Sequence, residues 1–209
     1  MNVVAIIQQR MGSTRLPGKA MLPLVGKPLT TRLVERVLRA KMLNAVVLAY
    51  PFKDHAMMMQ ALDQRHDPGF NQGVGIYASQ DDENDLVARY LHAAQAHHAD
   101  VIVRIPGDNP CIDPEYIDRA VTAYLNNPCV YYSNTTALVG DVAVDGIGAE
   151  VCSYSRLQWL DQRTRGYPAW REHPHQYFVD QGMLQLTTAT VRLDVNTQAD
   201  YNFIKTIYD

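Results

Sequence analysis

The chain has 209 residues, of which 47% are hydrophobic and 20% charged, and its formal net charge is −3. These values are typical of a globular protein and exclude the broad basic surface of a nucleic-acid-binding protein. The three cysteines lie far apart, and no apolar run approaches the roughly 18 residues of a membrane span, so we expect a cytoplasmic protein with free thiols and no membrane partner.

Short apolar runs alternate with helical patterns over the first two-thirds of the chain. These patterns predict strands at residues 3–7, 45–49, 75–78 and 101–105, and helices at 28–41, 54–65, 84–97 and after Asp113-Pro114. Strands that alternate with helices form βαβ units, which build a mainly parallel sheet covered by helices on both faces. The sequence therefore predicts a three-layer α/β/α fold.

The pattern changes after about residue 128. We predict short strands at 129–132 and 149–153, helices at 154–162 and 173–181, a strand at 188–195 and a last helix from about 198. No low-complexity linker separates this part from the rest. We therefore interpret residues 1–209 as a single domain with a mixed, mainly parallel sheet and a β-containing C-terminal extension.

The first predicted strand leads into a polar segment, QQRMGSTRLPGK at residues 8–19. The segment contains two glycines, which permit close approach of the backbone to a ligand, and three cationic side chains. These are Gly12, Gly18, Arg10, Arg15 and Lys19. Because ligands of such sheets bind beyond the carboxyl ends of the strands, the composition predicts a cradle for phosphates. A solvated loop with incidental charge is the alternative.

Two familiar phosphate-binding loops do not match this segment. The dinucleotide fingerprint GxGxxG is absent. A P-loop fails as well, because five residues separate Gly12 from Gly18 and Ala20 lacks the hydroxyl that would bind Mg²⁺. Phosphate binding by this segment would therefore follow neither of these two patterns.

An acidic residue follows the fourth predicted strand. Asp108 comes directly after Gly107, so we expect its carboxylate at the same edge of the sheet as the polar segment. We interpret it as a metal ligand, although such a residue also forms Asx turns. Asp113 is better interpreted as a helix cap, because Pro114 follows it.

Five segments, in order along the chain, resemble one enzyme family. They are RMGSTRLPGK (10–19), SQDDENDLVARY (79–90), VRIPGDNPCIDPE (103–115), DGIGAEVCSYSRL (145–157) and WREHPHQY (170–177). Together they resemble the sugar cytidylyltransferases, the group of the CMP-KDO and CMP-sialic acid synthetases. The similarity is greatest to the branch of the spore-coat polysaccharide cytidylyltransferases.

The resemblance implies a fold and an activity. The fold would be Rossmann-like, of the nucleotide-diphospho-sugar transferase type. The activity would be Mg²⁺-dependent transfer of CMP from CTP to a sugar, sugar acid or similar small acceptor, with release of pyrophosphate, in polysaccharide biosynthesis. A glycosyltransferase or a non-catalytic nucleotide-sugar binder on the same fold are the alternatives, and the acceptor itself is not identified by the sequence.

The resemblance also implies the site residues. Those predicted to bind the nucleotide are Gln8, Arg10, Gly12, Ser13, Arg15, Lys19 and Asp108, with Arg10, Lys19 and Asp108 acting in catalysis. Arg15 could instead pair with a carboxylate and brace the loop. The residues predicted to contact the acceptor are Glu150, Arg171 and His173, with His175 as a further candidate from the same segment.

The predicted metal site departs from the family pattern. The segment RLDVNTQADY (192–201) resembles the terminal strand and loop of the family, which often ends D-x-D-T. Here the first acid is Asp194, but the second position is Asn196, whose neutral amide oxygen is a weaker ligand for Mg²⁺. Asp108, Asp194 and Asn196 are the predicted ligands. The alternative is that Asn196 and Thr197 simply cap the last helix. The neutral residue at position 196 is also the feature that keeps the non-catalytic binder open as an alternative.

The C-terminal part is predicted to mediate assembly. Residues of about 130–180 would form an arm for dimerisation and for contact with the acceptor, as in the synthetases that this chain resembles. The expected partners are CTP, a small sugar-like acceptor and a second copy of the chain, and we expect no nucleic acid.

Overall fold

The computed structural model describes residues 1–63, 73–185 and 188–209. Its strands are β1 (Val3–Gln8), β2 (Pro23–Leu24), β3 (Lys27–Pro28), β4 (Ala45–Pro51), β5 (Val74–Ser79), β6 (Val101–Pro106), β7 (Tyr132–Ser133), β8 (Thr136–Val139), β9 (Val142–Asp145), β10 (Glu150–Ser153) and β11 (Val191–Arg192). Its α-helices are α1 (Leu29–Val37), α2 (His55–Leu62), α3 (Leu86–Ala96), α4 (Pro114–Asn126), α5 (Tyr154–Thr164), α6 (Pro168–Glu172), α7 (Pro174–Asp180) and α8 (Gln198–Tyr208).

A central sheet carries the fold, with the strand order β5-β4-β1-β6-β10-β7. The four strands β5, β4, β1 and β6 are parallel, whereas β10 is antiparallel to β6 and to β7. In the register of β1 and β6, Gln8 lies opposite Pro106, so both strands end at the same edge. The prediction of a mixed, mainly parallel sheet is confirmed.

Apolar side chains of the strands pack alternately on the two faces of the sheet. On one face Ala5 and Ile7 join a core with α1, α2 and α4, and on the other Val4 and Ile6 join a core with α3, α5 and α7. Strands buried on both faces are expected to be apolar throughout, as β1 is. These two cores give the predicted three layers. A third, smaller core holds α8 against β2 and the start of α1.

Local capping explains where several helices begin. The carboxylate of Asp113 accepts a hydrogen bond from the Glu115 amide at the start of α4, at 2.9 Å, which confirms its prediction as a cap. Helix α8 begins with a reciprocal capping box between Thr197 and Asp200. Helix α3 is capped by Asp85, the residue before its first, whose carboxylate accepts a hydrogen bond from the Ala88 amide at 2.9 Å.

Several predicted boundaries were wrong. Helix α1 ends at Val37 rather than at residue 41, and only residues 191–192 of the predicted strand 188–195 pair as a strand, with β9. The rest of that segment is held by isolated backbone bonds, from Leu193 to Asp145 and from Val195 to Asp108. The predicted helix 54–65 is α2, which ends at Leu62, and residues 64–65 lie outside the described residues.

The C-terminal part contains elements that the sequence analysis missed. The strands β8 and β9 form an antiparallel hairpin where a loop was expected, and α6 precedes the predicted helix around α7. Of the predicted strand at 129–132 only Tyr132 lies in a strand, which is β7 (Tyr132–Ser133), so that prediction was displaced by three residues. The hairpin pairs with β11 in a separate small sheet and not with the central one.

Two further observations concern the chain as a whole. The side chains of Cys111, Cys129 and Cys152 form no disulfide. None of the helices in the described ranges is both long and apolar enough to cross a membrane.

Candidate active site

A cavity of about 490 Å³ opens at the carboxyl ends of β1 and β6. Its walls come from the segment after β1, from Gly107–Asn109 after β6, from Glu150 on β10, from the junction of α6 and α7, and from the segment that precedes α8. This is the edge at which parallel α/β sheets bind their ligands. The topology therefore brings distant parts of the sequence to one site.

Most of the predicted site residues line this cavity. They are Gln8, Arg10, Ser13, Arg15, Lys19, Asp108, Glu150, His173, Asp194 and Asn196. Gly12 and Arg171 are not among the lining residues. A Cβ atom added to Gly12 would lie 2.1 Å from a carboxylate oxygen of Glu83, so the close neighbour of this glycine is a side chain of the protein.

The segment after β1 folds back on itself through its own backbone. The carbonyl of Met11 accepts hydrogen bonds from the amides of Ser13 and Gly18, at 3.0 and 3.1 Å, and Gly18 has a φ of +72°. The amide of Met11 donates to the buried carboxylate of Asp54 at 2.9 Å. A tight turn of this kind needs glycine at the left-handed position. It presents Ser13, Arg15 and Lys19 towards the cavity.

Gln9 is a buried residue of the site that the sequence analysis did not predict. Its side-chain amide donates to Thr30 Oγ1 at 2.9 Å and to the Gly107 carbonyl at 2.8 Å, and only 2% of the residue is exposed. A Cβ at Gly107 would lie 2.1 Å from the carbonyl oxygen of Gln8. Gln9 and Gly107 therefore hold the ends of β1 and β6 in close contact. A polar side chain directly after a buried strand was the available signal.

Two arginines connect the segment after β1 to other parts of the cavity wall. Arg10 donates to Asn84 Oδ1 at 2.5 Å and pairs with Glu172 at 3.3 Å, which ties the segment to α6 and to the residues before α3. Arg15 donates to Asn196 Oδ1 at 2.6 Å. The bracing role considered for Arg15 thus involves an amide oxygen and not a carboxylate.

Lys19 and Asp108 form an ion pair in the cavity. The Lys19 ammonium lies 3.0 Å from Asp108 Oδ2 and also donates to the Val195 carbonyl at 2.7 Å. The side chains of Lys19 and Asp108 are 11% and 26% exposed. The carboxylate of Asp108 thus pairs with a cationic side chain of the chain and does not serve as the cap of a helix.

The segment before α8 forms a second charged cluster. Arg192 binds the carboxylate of Asp194 in a bidentate manner, at 3.0 and 2.7 Å, and the amide group of Asn196 donates to the same carboxylate. Burial, and then the charge of Asp194, raise the pKa of Asp145, another cavity residue. Thr197 caps α8 by its own side chain, so the side chain of Asn196 is not the cap.

A buried ion pair lies at the other end of the cavity. Glu150, 3% exposed, pairs with Arg104 and accepts a hydrogen bond from the Tyr131 hydroxyl at 2.9 Å. His175 Nδ1 lies 3.7 Å from Glu150 Oε1, and burial, followed by the charges of Arg104 and His173, lowers the pKa of His175 to about 4. His175 is therefore neutral near pH 7. Arg104 and Tyr131 were not predicted as site residues.

Arg171 has its own partners away from the cavity. Its guanidinium contacts Asp85 at 2.7 Å and Asp161 at 2.8 Å, and it donates to Thr164 Oγ1 at 3.2 Å. These contacts join α6 to the start of α3 and to α5. Contact with an acceptor would require Arg171 to leave these ion pairs, whereas its neighbour Glu172 lines the cavity directly.

The oxygen atoms of the cavity would suit a magnesium ion whose remaining ligands are substrate phosphates and water. Among the described residues, no three Asp, Glu, His or Cys side chains converge on a metal position. Mg²⁺ commonly binds through one or two carboxylates together with substrate phosphates and water. Asp108 and Asp194 line the same cavity, and the backbone bond between Val195 and Asp108, 2.8 Å long, holds their two segments side by side.

Comparison with known proteins places the chain in a family. The sequence model of a family described as cytidylyltransferase matches residues 4–207. The chain belongs to the cytidylyltransferase family. The resemblance found in the five sequence segments is confirmed at this level.

Three relatives illustrate the similarity. The chain is 38% identical over 128 residues to a 3-deoxy-manno-octulosonate cytidylyltransferase of Trichlorobacter lovleyi. The aligned region covers 61% of this chain and 47%, about half, of that relative. It is 29% identical over 216 residues to the spore coat polysaccharide biosynthesis protein SpsF of Bacillus subtilis, with 99% and 86% covered. A solved cytidylyltransferase structure from Leptospira borgpetersenii matches with a TM-score of 0.79 and 28% identity, covering 99% of this chain and 86% of the other.

Proposed function

We propose that this cytidylyltransferase-family chain transfers CMP from CTP to a hydroxyl group of a small sugar-like acceptor and releases pyrophosphate, with Mg²⁺ as cofactor. The observation that carries the proposal is the meeting of Arg15, Lys19 and Asp108 in one cavity at the carboxyl edge of the sheet. The named relatives, a 3-deoxy-manno-octulosonate cytidylyltransferase and a spore coat polysaccharide biosynthesis protein, support a role in polysaccharide biosynthesis.

The reaction makes clear demands on the protein. An acceptor oxygen attacks the α-phosphorus of CTP, the bond to the bridging oxygen of the β-phosphate breaks so that pyrophosphate leaves, and the proton of the acceptor hydroxyl passes to solvent. Negative charge increases on the leaving pyrophosphate. Catalysis then depends mainly on in-line positioning and on fixed positive charge near that leaving group.

The segment after β1 would position the phosphates and would supply positive charge near them. Lys19 and Arg15 would bind phosphate oxygens by charge-assisted hydrogen bonds, and Ser13 would add its hydroxyl or its amide. Arg10 would keep the segment closed through its contacts with Asn84 and Glu172 while it adds positive charge. Gln8, at the end of β1, would contact the nucleoside part, whereas Gly12 would serve only the turn itself, because its close neighbour is the side chain of Glu83.

Asp108 and Asp194 would hold the metal ion, and Asn196 would contribute an amide oxygen or a water-mediated contact. When bound, Mg²⁺ would neutralise charge on the phosphates and orient the α-phosphate for attack. Asp108 and Asp194 would fix the position of the metal ion relative to the bound acceptor. The neutral Asn196 predicts weaker metal binding than a third carboxylate would give.

The acceptor would bind at the end of the cavity that contains Glu150 and His173. The carboxylate of Glu150 is oriented by Arg104 and Tyr131, and the neutral imidazole of His175 can either donate or accept a hydrogen bond. Such groups suit the hydroxyl groups of a sugar. Arg171 would act at a distance, by holding α6 and therefore Glu172 and His173 in place.

A direct assay tests the proposal. The protein is incubated with Mg²⁺, a pool of sugars and sugar acids, and each of the four nucleoside triphosphates, and pyrophosphate is measured. We expect release with CTP that depends on an acceptor. Pyrophosphate release with none of the triphosphates would contradict the proposal and favour a non-catalytic nucleotide-sugar binder, and transfer from a nucleotide sugar would indicate a glycosyltransferase.

A binding experiment tests the phosphate-binding role of Lys19. Lys19→Ala should weaken CTP binding by about 1.5–3 kcal/mol, because it removes a charge-assisted hydrogen bond. Calorimetry without divalent metal removes the contribution of a bound metal ion from the measured affinity. Lys41→Ala, at an exposed lysine, is the matched control for loss of one positive charge. Equal CTP affinity of the two variants would contradict the role.

We also propose that the chain forms a homodimer through its arm of about residues 130–180. The hairpin of β8 and β9 exposes Leu138, Val139 and Val142, which are 65%, 48% and 41% accessible in the single chain. Sedimentation should give a dimer at micromolar concentration, and Leu138→Asp should shift it towards the monomer. A monomeric wild-type protein would contradict this proposal.

A further inference from the structure

The ammonium group of Lys19 lies among three oxygen atoms from two segments of the chain, one after β6 and one before α8. Its Nζ atom is 3.0 Å from Asp108 Oδ2, 2.7 Å from the Val195 carbonyl oxygen and 3.4 Å from Asn196 Oδ1. With 11% of its side chain exposed, Lys19 is largely enclosed by this cage. We call these three oxygens and the ammonium between them the Lys19 cage.

The Lys19 cage contains the atoms that a hard divalent cation would use. Carboxylate, carbonyl and amide oxygens are the usual ligands of Mg²⁺ and related ions. Asp108 and Asn196 are two of the three predicted metal ligands. An ammonium group has three N–H donors and one positive charge, so it satisfies these oxygens in the way that a bound cation would. Lys19 and a metal ion at Asp108 therefore compete for the same atoms.

The remaining predicted ligand is also paired with a cation of the chain. Arg192 contacts both carboxylate oxygens of Asp194, at 3.0 and 2.7 Å, and Asn196 donates its amide group to the same carboxylate. A metal ion that approached the nucleotide-free site would have to displace two ion pairs. The free energy gained by binding this metal ion would be small, because the protein would supply only part of the ligands that the ion needs.

A nucleotide changes this balance at Lys19. The phosphate oxygens of CTP offer the ammonium group new anionic partners, and the same phosphates supply further oxygens to the metal ion. When Lys19 moves to the phosphates, Asp108 is left with an uncompensated charge. The metal ion is then the natural partner for that carboxylate.

We propose that Lys19 keeps divalent metal out of the nucleotide-free site and that CTP opens the site by drawing the ammonium group onto its phosphates. Metal and nucleotide then bind cooperatively, and each raises the affinity for the other by the same factor. This inference rests on the proposed function, because it requires that the nucleotide phosphates reach Lys19.

Direct measurement of Mn²⁺ binding tests the inference without any turnover. Free Mn²⁺ is counted by electron paramagnetic resonance during titration of the nucleotide-free protein. Lys19→Met should bind Mn²⁺ at least about tenfold more tightly than wild type, within the usual range of coupling between sites. Lys41→Met, which removes an exposed lysine elsewhere, should bind Mn²⁺ like wild type. Lys19→Gln provides a second uncharged variant if Met at this position impairs folding.

A double variant identifies the site of the gained binding. In Lys19→Met/Asp108→Asn the extra Mn²⁺ affinity should disappear, because the carboxylate that Lys19 pairs with in the wild type has been removed. Nucleotide-free Mn²⁺ affinity that is equal in Lys19→Met and Lys41→Met would overturn the inference, even if wild type releases pyrophosphate from CTP. If wild type binds no CTP while Lys19→Met still gains Mn²⁺ affinity, the proposed function fails and the competition at the Lys19 cage stands.

Discussion

Removal of Glu150 should reveal the cost of the buried charge on Arg104. The two side chains are 3% and 11% exposed, and Glu150 also accepts the hydrogen bond of Tyr131. Glu150→Leu leaves a guanidinium without its counter-charge in a place that water hardly reaches. Breaking such a pair costs about 3–5 kcal/mol. For a chain of this length each kcal/mol lowers Tm by about 2–4 °C, so a fall of roughly 6–20 °C is expected.

A cycle of variants separates the charge from the packing. Arg104→Met should also destabilise, because it leaves Glu150 unpaired. The double variant Arg104→Met/Glu150→Leu should lose far less stability than the two single variants lose together, because a buried ion pair can often be replaced by an apolar pair with little change in the free energy of unfolding. Its residual loss should come from the unpaired Tyr131 hydroxyl, about 1–3 kcal/mol, and should shrink when Tyr131→Phe is added.

Thermal and urea unfolding measure all of these variants. Glu115→Leu is the matched control, because Glu115 also pairs with an arginine, Arg119, but the two side chains are 80% and 62% exposed. We expect its effect to stay below about 1 kcal/mol. The reasoning is refuted if Glu150→Leu costs no more than the control, or if the losses of the double variant are additive.

Three further predictions follow from single contacts. Gly107→Ala should abolish CTP binding in calorimetry, because its Cβ would lie 2.1 Å from a backbone oxygen, whereas Gly73→Ala, with 3.5 Å to the nearest atom, should bind normally. Arg171→Met should lower the free energy of unfolding, measured in urea, by about 1.5–3 kcal/mol, whereas Arg165→Met should lower it by less than about 1 kcal/mol. The reason is that the Arg171 side chain is 15% exposed and that of Arg165 is 74% exposed, and equal losses would contradict this. Because the pKa of His175 falls from 6.5 to about 4, the unfolded chain alone takes up its proton in that window, so stability falls on acidification and His175→Gln should reduce the slope; an unchanged slope would count against it.

The fold was predictable where the sequence pattern is local. Residues 3–7 and 101–105 are short, uninterrupted apolar runs, and the structure has β1 and β6 there. The hairpin of β8 and β9 was missed because its apolar residues are largely exposed, so no buried face marks the strands. The strand predicted at 188–195 is short for a related reason. Val191 and Arg192 pair with β9, Leu193 and Val195 pack in the core of α8, and none of them joins the central sheet.

The site was predictable where charge stands next to a strand end. Lys19 and Asp108 were both identified from their place relative to a strand, and they meet in the cavity. The pair of Arg104 and Glu150 was not predicted, because 46 residues separate its members and their contact depends on the antiparallel pairing of β10 with β6. Arg171 was given to the acceptor because its segment resembles the family, but side-chain direction on the short α6 decides its partners.

The neutral residue at position 196 has a structural consequence in the nucleotide-free chain. The amide of Asn196 donates to Asp194 while its oxygen accepts from Arg15, at 2.6 Å, and from Lys19, at 3.4 Å. An aspartate could accept these bonds but could not donate to Asp194, so two carboxylates would meet at the position of the present hydrogen bond. Like charges at such a distance favour a bound cation. Asn196 therefore stabilises the arrangement of charges found in the cavity, and under the proposed function the affinity for a divalent ion would depend more strongly on the phosphates of the nucleotide.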